Sequence, residues 1–404
     1  MDEIIIQNPF KHGFLADFIF TPQILPFTDK EIMDLDKDLA RFEQVFLSPD
    51  VEKHLISKNE FLASFAISKA EQSSLTLKEA QDVYNLLLND PEYDFISQKL
   101  KDGKKLTQKD HDHVEFFNIA KTFRNIGQRG FSLADLTPNF IKNIHLQITQ
   151  GLDIFQKYIL GFTVYKSGQW RDNDSIRVGS YAPAPFGEAP SAVKEIIDWY
   201  KNNHSVVGVA VLHTALYALH PFNNGNKRVC RILEHLLLRE LGLNVKNLYS
   251  TSYYYHKEKP RYYKYLLYSL ERKNLNHFTS FALEAAVLSI VGVIKTSLEA
   301  KRGEFLNKQS LDDTTRVILK PLIKRGELQF KNLYGRARKK IARQTFVTYL
   351  NKAVEAGVIK KREAGRATYY GLNISAPERD TLRKWVGFAK SRISYIDNDF
   401  LLSV

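Results

Sequence analysis

Apolar residues recur at three- and four-residue spacing over 30–46 and 77–88, which predicts amphipathic helices. Thr76 precedes the second run with Glu79 three residues on, the pattern of a capping box. The character changes over 160–187. Phe162, Val164 and Tyr165, then Ile176 and Val178, are short β-prone runs around the turn-rich KSGQWRDNDS, and they predict a β-hairpin. Pro183, Pro185 and Pro190 close it, and a helix resumes over 192–200. Residues 206–219 are almost wholly apolar and predict a helix that runs into His220-Pro221-Phe222 and the polar turn Asn223-Asn224-Gly225-Asn226. A second apolar helix, 228–241, stops at Gly242. Helices continue through the Tyr-rich 253–270 and on to 298. Polar residues over 301–313 predict a linker. Beyond it, three helical stretches precede two short strands, 358–362 and 367–372, around Ala364-Gly365. Three helices and a two-stranded wing outline a winged helix-turn-helix.

A chain of 404 residues is too long for one ordinary core. The pattern divides it into a helical N-terminal region (1–100), a central domain (101–300), the linker (301–312) and a C-terminal α+β domain (313–404). Cys230 is the single cysteine, which rules out an intramolecular disulfide and suggests no oxidising compartment. The opening MDEIIIQNPFKHGF lacks a basic region followed by a long apolar one. The most apolar stretches are interrupted and too short to span a bilayer, so no membrane partner is expected. A cytoplasmic protein is the plain reading.

Net charge is +13, and its location matters more than its size. Between Arg316 and Arg366 stand fifteen basic residues and three acids, so nearly all the excess lies there. Arg336, Arg338, Lys339, Lys340 and Arg343 are dense, Arg343-Gln344-Thr345 would open the second helix of the helix-turn-helix, and Arg362 and Arg366 would sit on the wing. This distribution suits phosphate contact and makes DNA a candidate partner. Basic helices also serve as solvated surfaces, and winged helices as protein-docking modules.

The turn between the two apolar helices carries the chemistry. Backbone N–H groups at a helix start lack partners, and the helix dipole is positive there. Gly225 lets an anion approach the backbone closely. Arg228 begins the second helix and Arg231 lies on the same face one turn on, an arrangement suited to phosphates. His220 at the rim could accept a proton from a hydroxyl. Other candidates read more simply. His213 and Cys230 fit core positions, the His111/His113 pair fits a solvated helix rather than a metal site, and most of the tyrosines over 253–268 fit packing.

HPFNNGNKRVCR, His220 to Arg231, resembles the signature of Fic proteins, HxFx(D/E)GN(G/K)RxxR. RDNDSIRVGSYAPAPFGEAP resembles the family's flap hairpin and its proline-rich exit, and RYYKYL around Tyr262 and Tyr263 resembles the segment beside the adenine pocket; residues 60–290 are covered. The resemblance implies a mainly α fold, a Fic helical core with a β-hairpin flap, to which the winged helix is appended. It implies transfer of AMP from ATP to a Ser, Thr or Tyr hydroxyl of a target protein. His220 would be the base and Phe222 would be buried beneath the loop. Gly225, Asn226, Lys227 and Arg228 would stand along the phosphates, with Arg231 on the γ-phosphate. Tyr263 would stand near adenine, and Ile176, Arg177 and Val178 would pair with the extended target. Mg²⁺ would offset phosphate charge, but the family's acidic metal position is Asn224 here, and amides are poorer ligands for hard cations. Lys227 also occurs in Doc toxins, which phosphorylate their targets, and Leu270 falls where many relatives place an adenine-contacting asparagine. ISKAEQSSLTLKEA, Ile67 to Ala80, resembles the family's inhibitory segment, with Glu71 expected to pair with Arg231 and block ATP. Three functions therefore stand: AMP transfer restrained by Glu71, Doc-like phosphotransfer, or a nucleotide-sensing DNA-binding regulator. A homodimer is left open.

Overall fold

The computed structural model describes residues 4–46, 49–71, 73–128, 130–375 and 378–396. Gln72, beside the proposed inhibitory glutamate, and the extreme ends of the first and last proposed regions lie outside them. Helices dominate, and the chain divides into two compact units, Met1–Asp36 with Glu52–Ser289 and Lys37–Val51 with Ile290–Val404.

The first unit is built around the Val206–Leu219 helix, of which all residues but Val207 are buried. Ser205 caps it, accepting the Gly208 N–H at 3.0 Å. A Cβ on Gly208 would stand 2.1 Å from the Asn203 carbonyl, so only glycine allows that approach. The Ala189–Asn202 and Asn226–Glu240 helices pack against it. The Gln108–Gln128 helix packs between Leu77–Asn89 and Pro138–Thr149. Thr76 and Glu79 form the capping box that their spacing predicts, with bonds of 3.2 Å and 2.9 Å.

The predicted hairpin over 160–187 is not a ladder: that stretch holds one isolated antiparallel bridge, Val178 with Tyr181. Side chains take the backbone groups that strands would have paired. Asp153 accepts the Tyr165 N–H at 2.6 Å and Asp174 accepts the Phe186 N–H at 2.8 Å. Arg171 donates to the Asn173 carbonyl at 2.6 Å and also to that of Ala184. The predicted linker also differs, because the Asn276–Lys308 helix continues through its first eight residues. That helix is long and apolar enough to cross a membrane by composition, contrary to the reading that every apolar stretch is too short, but 78% of its apolar window is buried in the protein.

The second unit contains helices Asp313–Leu319, Pro321–Arg325, Phe330–Ala337 and Arg343–Glu355 and strands β1 (Glu327–Gln329), β2 (Ile359–Ala364) and β3 (Ala367–Leu372). The sheet order is β1-β3-β2, all antiparallel, and Ala364 pairs with Ala367 across the Gly365-Arg366 turn. Strand β1 adds an edge that the sequence pattern does not predict. Phe346, Leu350 and Ala353 line one face of the Arg343–Glu355 helix and bury against Leu319, Leu322, Leu333 and Tyr370. Removing the fully buried Phe346 ring should therefore leave a cavity. Phe346→Ala is expected to destabilise this unit by about 3–5 kcal/mol, against about 0.5 kcal/mol or less for the exposed Thr348→Ala. Urea denaturation followed by circular dichroism would read the difference, and equal midpoints would contradict this packing.

Candidate functional site

The chain reverses between two buried helices in the space of six residues. The Val206–Leu219 helix ends on His220 in the left-handed conformation, φ 49° and ψ 57°. A non-glycine residue there costs about 1 kcal/mol or more, so the surroundings must hold it. Arg171 does so: its Nε donates to the His220 carbonyl at 2.8 Å, and its backbone N–H donates to the Pro221 carbonyl at 2.8 Å. The His220 Nδ1 lies 3.3 Å from the Tyr217 carbonyl, which can only accept. Nδ1 therefore carries the proton and Nε2 keeps its lone pair. Burial lowers the His220 pKa to about 4, so the ring is neutral at neutral pH and able to accept a proton.

Asn226 closes the loop reciprocally, its Oδ1 accepting the Phe222 N–H at 3.0 Å and its Nδ2 donating to the Phe222 carbonyl at 2.8 Å. Phe222 is buried and lies flat on the His145 imidazole, centroids 3.9 Å apart at 5°. His145 accepts the Gly168 N–H at Nδ1, 3.0 Å away, which leaves Nε2 to donate to the Asn224 carbonyl at 3.1 Å. Its pKa falls to about 3 through burial. Gly225 caps the second helix at φ 83°, and a Cβ there would meet the same imidazole at 3.4 Å.

The cations of the motif divide. Arg228 is fully buried, paired with Glu115 of the Gln108–Gln128 helix and 3.3 Å from Asn224 Oδ1. Burial raises the Glu115 carboxyl despite the opposing pull of Arg228. Arg231 is also buried, its guanidinium 4.4 Å from the Tyr262 ring centroid and its Nη1 donating to the Ala66 carbonyl at 3.1 Å. Both guanidinium groups thus point into the core rather than along an anion site. Lys227, in the first helical turn, reaches the pocket instead. Its Nζ stands 3.3 Å from Glu71 Oε2 and 5.1 Å from the Tyr263 ring centroid.

This corrects the expected Glu71–Arg231 pair: Arg231 lies one turn deeper, among aromatic rings, and the outermost cation takes the carboxylate. Burial alone would raise the Glu71 carboxyl, but Lys227, Arg228 and His220 together hold it below its ordinary range. The Glu71 turn, Lys69–Glu71, is held to the Lys259–Glu271 helix by Tyr263, whose hydroxyl donates to the Ala70 carbonyl at 2.8 Å, and by Lys259 on the Lys69 carbonyl at 3.2 Å. Asn226, expected beside phosphate, spends its side chain on the loop.

Glu71, His220, Lys227 and Tyr263 line a pocket of about 400 Å³, together with Ile176, Arg177 and Val178. A larger groove of about 1040 Å³ runs beside Phe117 and Phe140 and holds none of the motif residues. Cys230 is buried, and burial raises its thiol pKa, as befits a core position. His213 is buried too and bonds Glu234 at 2.5 Å. His111, expected on a solvated face, is buried 3.1 Å from both Asp112 Oδ1 and the Tyr165 hydroxyl.

The donor set does not fit a divalent cation. Asn224 Oδ1 is engaged by the Gly225 N–H at 2.8 Å and by Arg228. Among the described residues no group of three His, Cys, Asp or Glu side chains converges. His145, Arg171, Glu115 and Tyr165 are site residues that the sequence reading missed. His145 and Arg171 bond the loop directly from distant segments, and Glu115 and Tyr165 act on it through Arg228.

A neutral imidazole, a helix N-terminus and one lysine around a small pocket define a class of site, one chemically able to hold an anion beside a proton acceptor. Residues 135–238 match the Fic/DOC family, and this stretch is a Fic/DOC family domain. The chain is 33% identical over 94 residues to a probable protein adenylyltransferase of Aquifex aeolicus, covering 22% of this chain and 29% of that one. It is 23% identical over 146 residues to a protein adenylyltransferase Fic of Drosophila willistoni, 35% of this chain and 26% of that one. The matches therefore span less than a third of either relative. A Fic family protein from Desulfovibrio desulfuricans superposes with TM-score 0.48 at 18% identity, covering 87% of this chain and 99% of that one. A Fic-domain signaling protein from Bacteroides thetaiotaomicron gives TM-score 0.48 and 18% identity over 68% of this chain and 97% of that one.

The buried imidazoles make stability depend on pH. Burial lowers the pKa of His145 to about 3, His220 to about 4 and His235 to about 3, from 6.5. Between about pH 4 and 6.5 the unfolded chain binds more protons at these rings than the folded one. Stability is therefore complete above 6.5 and falls as pH drops through that window, by about 1.4 kcal/mol per pH unit for each ring. His235 Nε2 has no hydrogen-bond partner, so His235→Leu removes a titrating group without breaking a bond there. Its stability relative to wild type should improve steadily from pH 6.5 to 4.5. Parallel urea-midpoint profiles would contradict this account.

Proposed function

We propose that the Fic/DOC domain transfers AMP from ATP to a hydroxyl side chain of another protein. The observation that carries the reading is His220: its Nε2 lone pair stands free at a pocket that also holds Lys227 and the start of the Asn226–Glu240 helix. In this reaction the hydroxyl oxygen attacks the α-phosphorus and its proton passes to His220 Nε2. The bond from the α-phosphorus to the bridging oxygen breaks, and pyrophosphate leaves. Lys227 and the first-turn N–H groups meet the phosphate charge. Ile176, Arg177 and Val178 form the edge along which an extended target would lie, and Tyr263 borders the nucleotide side. The names of the adenylyltransferase relatives support the reaction class. Because the donor set does not favour Mg²⁺, no step is assigned to it.

Glu71 acts as the brake by a route other than the γ-phosphate arginine. Its carboxylate occupies Lys227 and places negative charge where phosphate would sit. Since the carboxyl is held below its ordinary range, the contact persists at neutral pH and is lost only on acidification.

Phosphotransfer is the second reading, and one observation favours it: Arg231, which would fix the AMP-transfer orientation of ATP, is buried on Tyr262 while Lys227 faces the pocket. Labelled ATP separates the two. With α-³²P-ATP, Glu71→Gly is expected to label itself or an added target at least about tenfold more than wild type, and Glu71→Gly/His220→Ala to show none. Label from γ-³²P-ATP alone would replace AMP transfer by phosphotransfer. Label that survives His220→Ala would remove the base from its role, and equal labelling of wild type and Glu71→Gly would remove the brake.

A further inference from the structure

Outside the Fic/DOC residues lies the stretch that holds nearly all of the chain's excess charge. The structure sorts its cations into those already neutralised and those still available. Of the three acids between Arg316 and Arg366, Glu327 is bound by Arg362 in a two-bond contact, at 2.9 Å and 2.6 Å, and Glu363 by Lys361 at 2.8 Å. Arg362, expected to face a partner from the wing, is thereby spent within the sheet. Arg336, Arg338, Lys339, Lys340 and Arg343 are exposed, and among the described residues none of them is in an ion pair. They fill the end of the Phe330–Ala337 helix, the five-residue turn after it and the first position of the Arg343–Glu355 helix. Arg366, also exposed and in no ion pair among the described residues, stands at the tip of the β2–β3 hairpin beside Gly365, whose φ of 56° makes the two-residue turn.

Charge alone would suit any polyanion, but the second helix adds a different observation. Its buried face is Phe346, Leu350 and Ala353, and its exposed face carries Gln344, Thr345, Thr348, Asn351 and Lys352, with the acid Glu355 at its last position. The exposed face has no large apolar anchor of the kind a protein interface is built on. Amide and hydroxyl groups that both donate and accept are the side chains that read base edges in a major groove, which is wide enough to admit a helix. Two helices joined by a short turn, followed by a hairpin, form a unit that lays its second helix in that groove while turn and hairpin meet the backbone.

We infer that the second unit binds double-stranded DNA, with the Arg343–Glu355 helix in the major groove. Gln344, Thr345, Thr348 and Asn351 face base edges, and Arg336, Arg338, Lys339, Lys340, Arg343 and Arg366 contact phosphates. Lys361 and Arg362 contribute little, because their charges are already met.

The test uses the full chain and fluorescein-labelled duplexes of mixed sequence, read by fluorescence anisotropy across a salt series. Six phosphate contacts predict a slope of about −5 in log affinity against log salt, and an affinity loss of roughly 10³-fold between 50 and 200 mM. Arg338→Ala/Lys340→Ala should lower affinity and shorten the slope by about 2, whereas Lys361→Ala/Arg362→Ala should leave it nearly unchanged. Gln344→Ala/Asn351→Ala should keep the slope and flatten discrimination among duplexes selected from a random pool. All these side chains are exposed, and unchanged thermal melting verifies that the variants fold. Absence of salt-dependent duplex binding at 50 mM salt would overturn the inference. So would equal loss from the Lys361/Arg362 pair, or double-stranded RNA, single strands or heparin bound as tightly through the same six residues.

Discussion

Everything at the pocket depends on how the chain turns between its two most buried helices. His220 stands at a backbone conformation that a side chain ordinarily avoids, and Pro221 follows it. The turn survives because four bonds are made to its backbone from outside or across it. Arg171 takes the carbonyls of His220 and Pro221, and Asn226 takes both the N–H and the carbonyl of Phe222. Phe222 is then pressed between His145 and Trp170, with centroids 3.9 Å and 4.9 Å away. A local strain of about 1 kcal/mol is thus over-determined by buried contacts, and its product is a histidine held at a fixed place at the pocket wall. The low pKa follows from the same burial. An imidazole held this way cannot ionise cheaply, so it remains a base across the physiological range.

Electrostatics decide what the rest of the motif does. Three cations follow Gly225 within six residues, but helical geometry sends them to different depths. Arg228 meets Glu115 in the core, and Arg231 meets Tyr255 and Tyr262 there. Neither can leave without stranding a buried charge or vacating an aromatic cage, and loss of one partner from a buried pair costs about 3–5 kcal/mol. Lys227 is at the surface of the first turn, is less constrained, and is the one cation of the three that faces the pocket. Its pairing with Glu71 is accordingly the changeable contact. With side chains 16% and 19% exposed it is less enclosed than the Arg228–Glu115 pair, at 0% and 3%.

Much of this was legible in the sequence, and the limits have physical causes. The apolar run from Val206, the His220-Pro221 break and the glycine-bounded second helix define their elements by local rules alone, so observed and expected ends agree within about two residues. The capping box at Thr76 and the β2–β3 hairpin around Gly365 are local in the same sense. What failed was non-local. Spacing put Arg228 and Arg231 on one face, but which face met a carboxylate depended on Glu115, 113 residues away. His145 reaches the loop from 79 residues upstream and carries no mark in its own helix. The hairpin over 160–187 was predicted from β-prone residues, yet Arg171, Asp153 and Asp174 bind the backbone there and leave no ladder to form.

The same long-range bonds explain why the proposed base and the proposed brake are part of one frame. Ser74, three residues beyond Glu71, donates to Asp112 through its N–H at 2.7 Å and its hydroxyl at 2.5 Å. Asp112 lies 3.1 Å from His111, and His111 lies 3.1 Å from the Tyr165 hydroxyl, which donates to Glu115 at 3.1 Å. Glu115 holds Arg228, and Arg228 reaches Asn224 in the His220–Gly225 turn. Burial would raise the Asp112 carboxyl, yet these hydrogen bonds bring it to about 2, so the anchor beneath Ser74 stays charged. The described residues from Ser74 onward are thus linked by hydrogen bonds to the loop that carries His220, and the Glu71–Lys227 contact lies in the pocket. A ligand that displaces Glu71 breaks the contact to Lys227, while Tyr263 and Lys259 also latch the turn that carries it. The loop beneath it keeps its shape, because none of the bonds that fix His220 passes through Glu71.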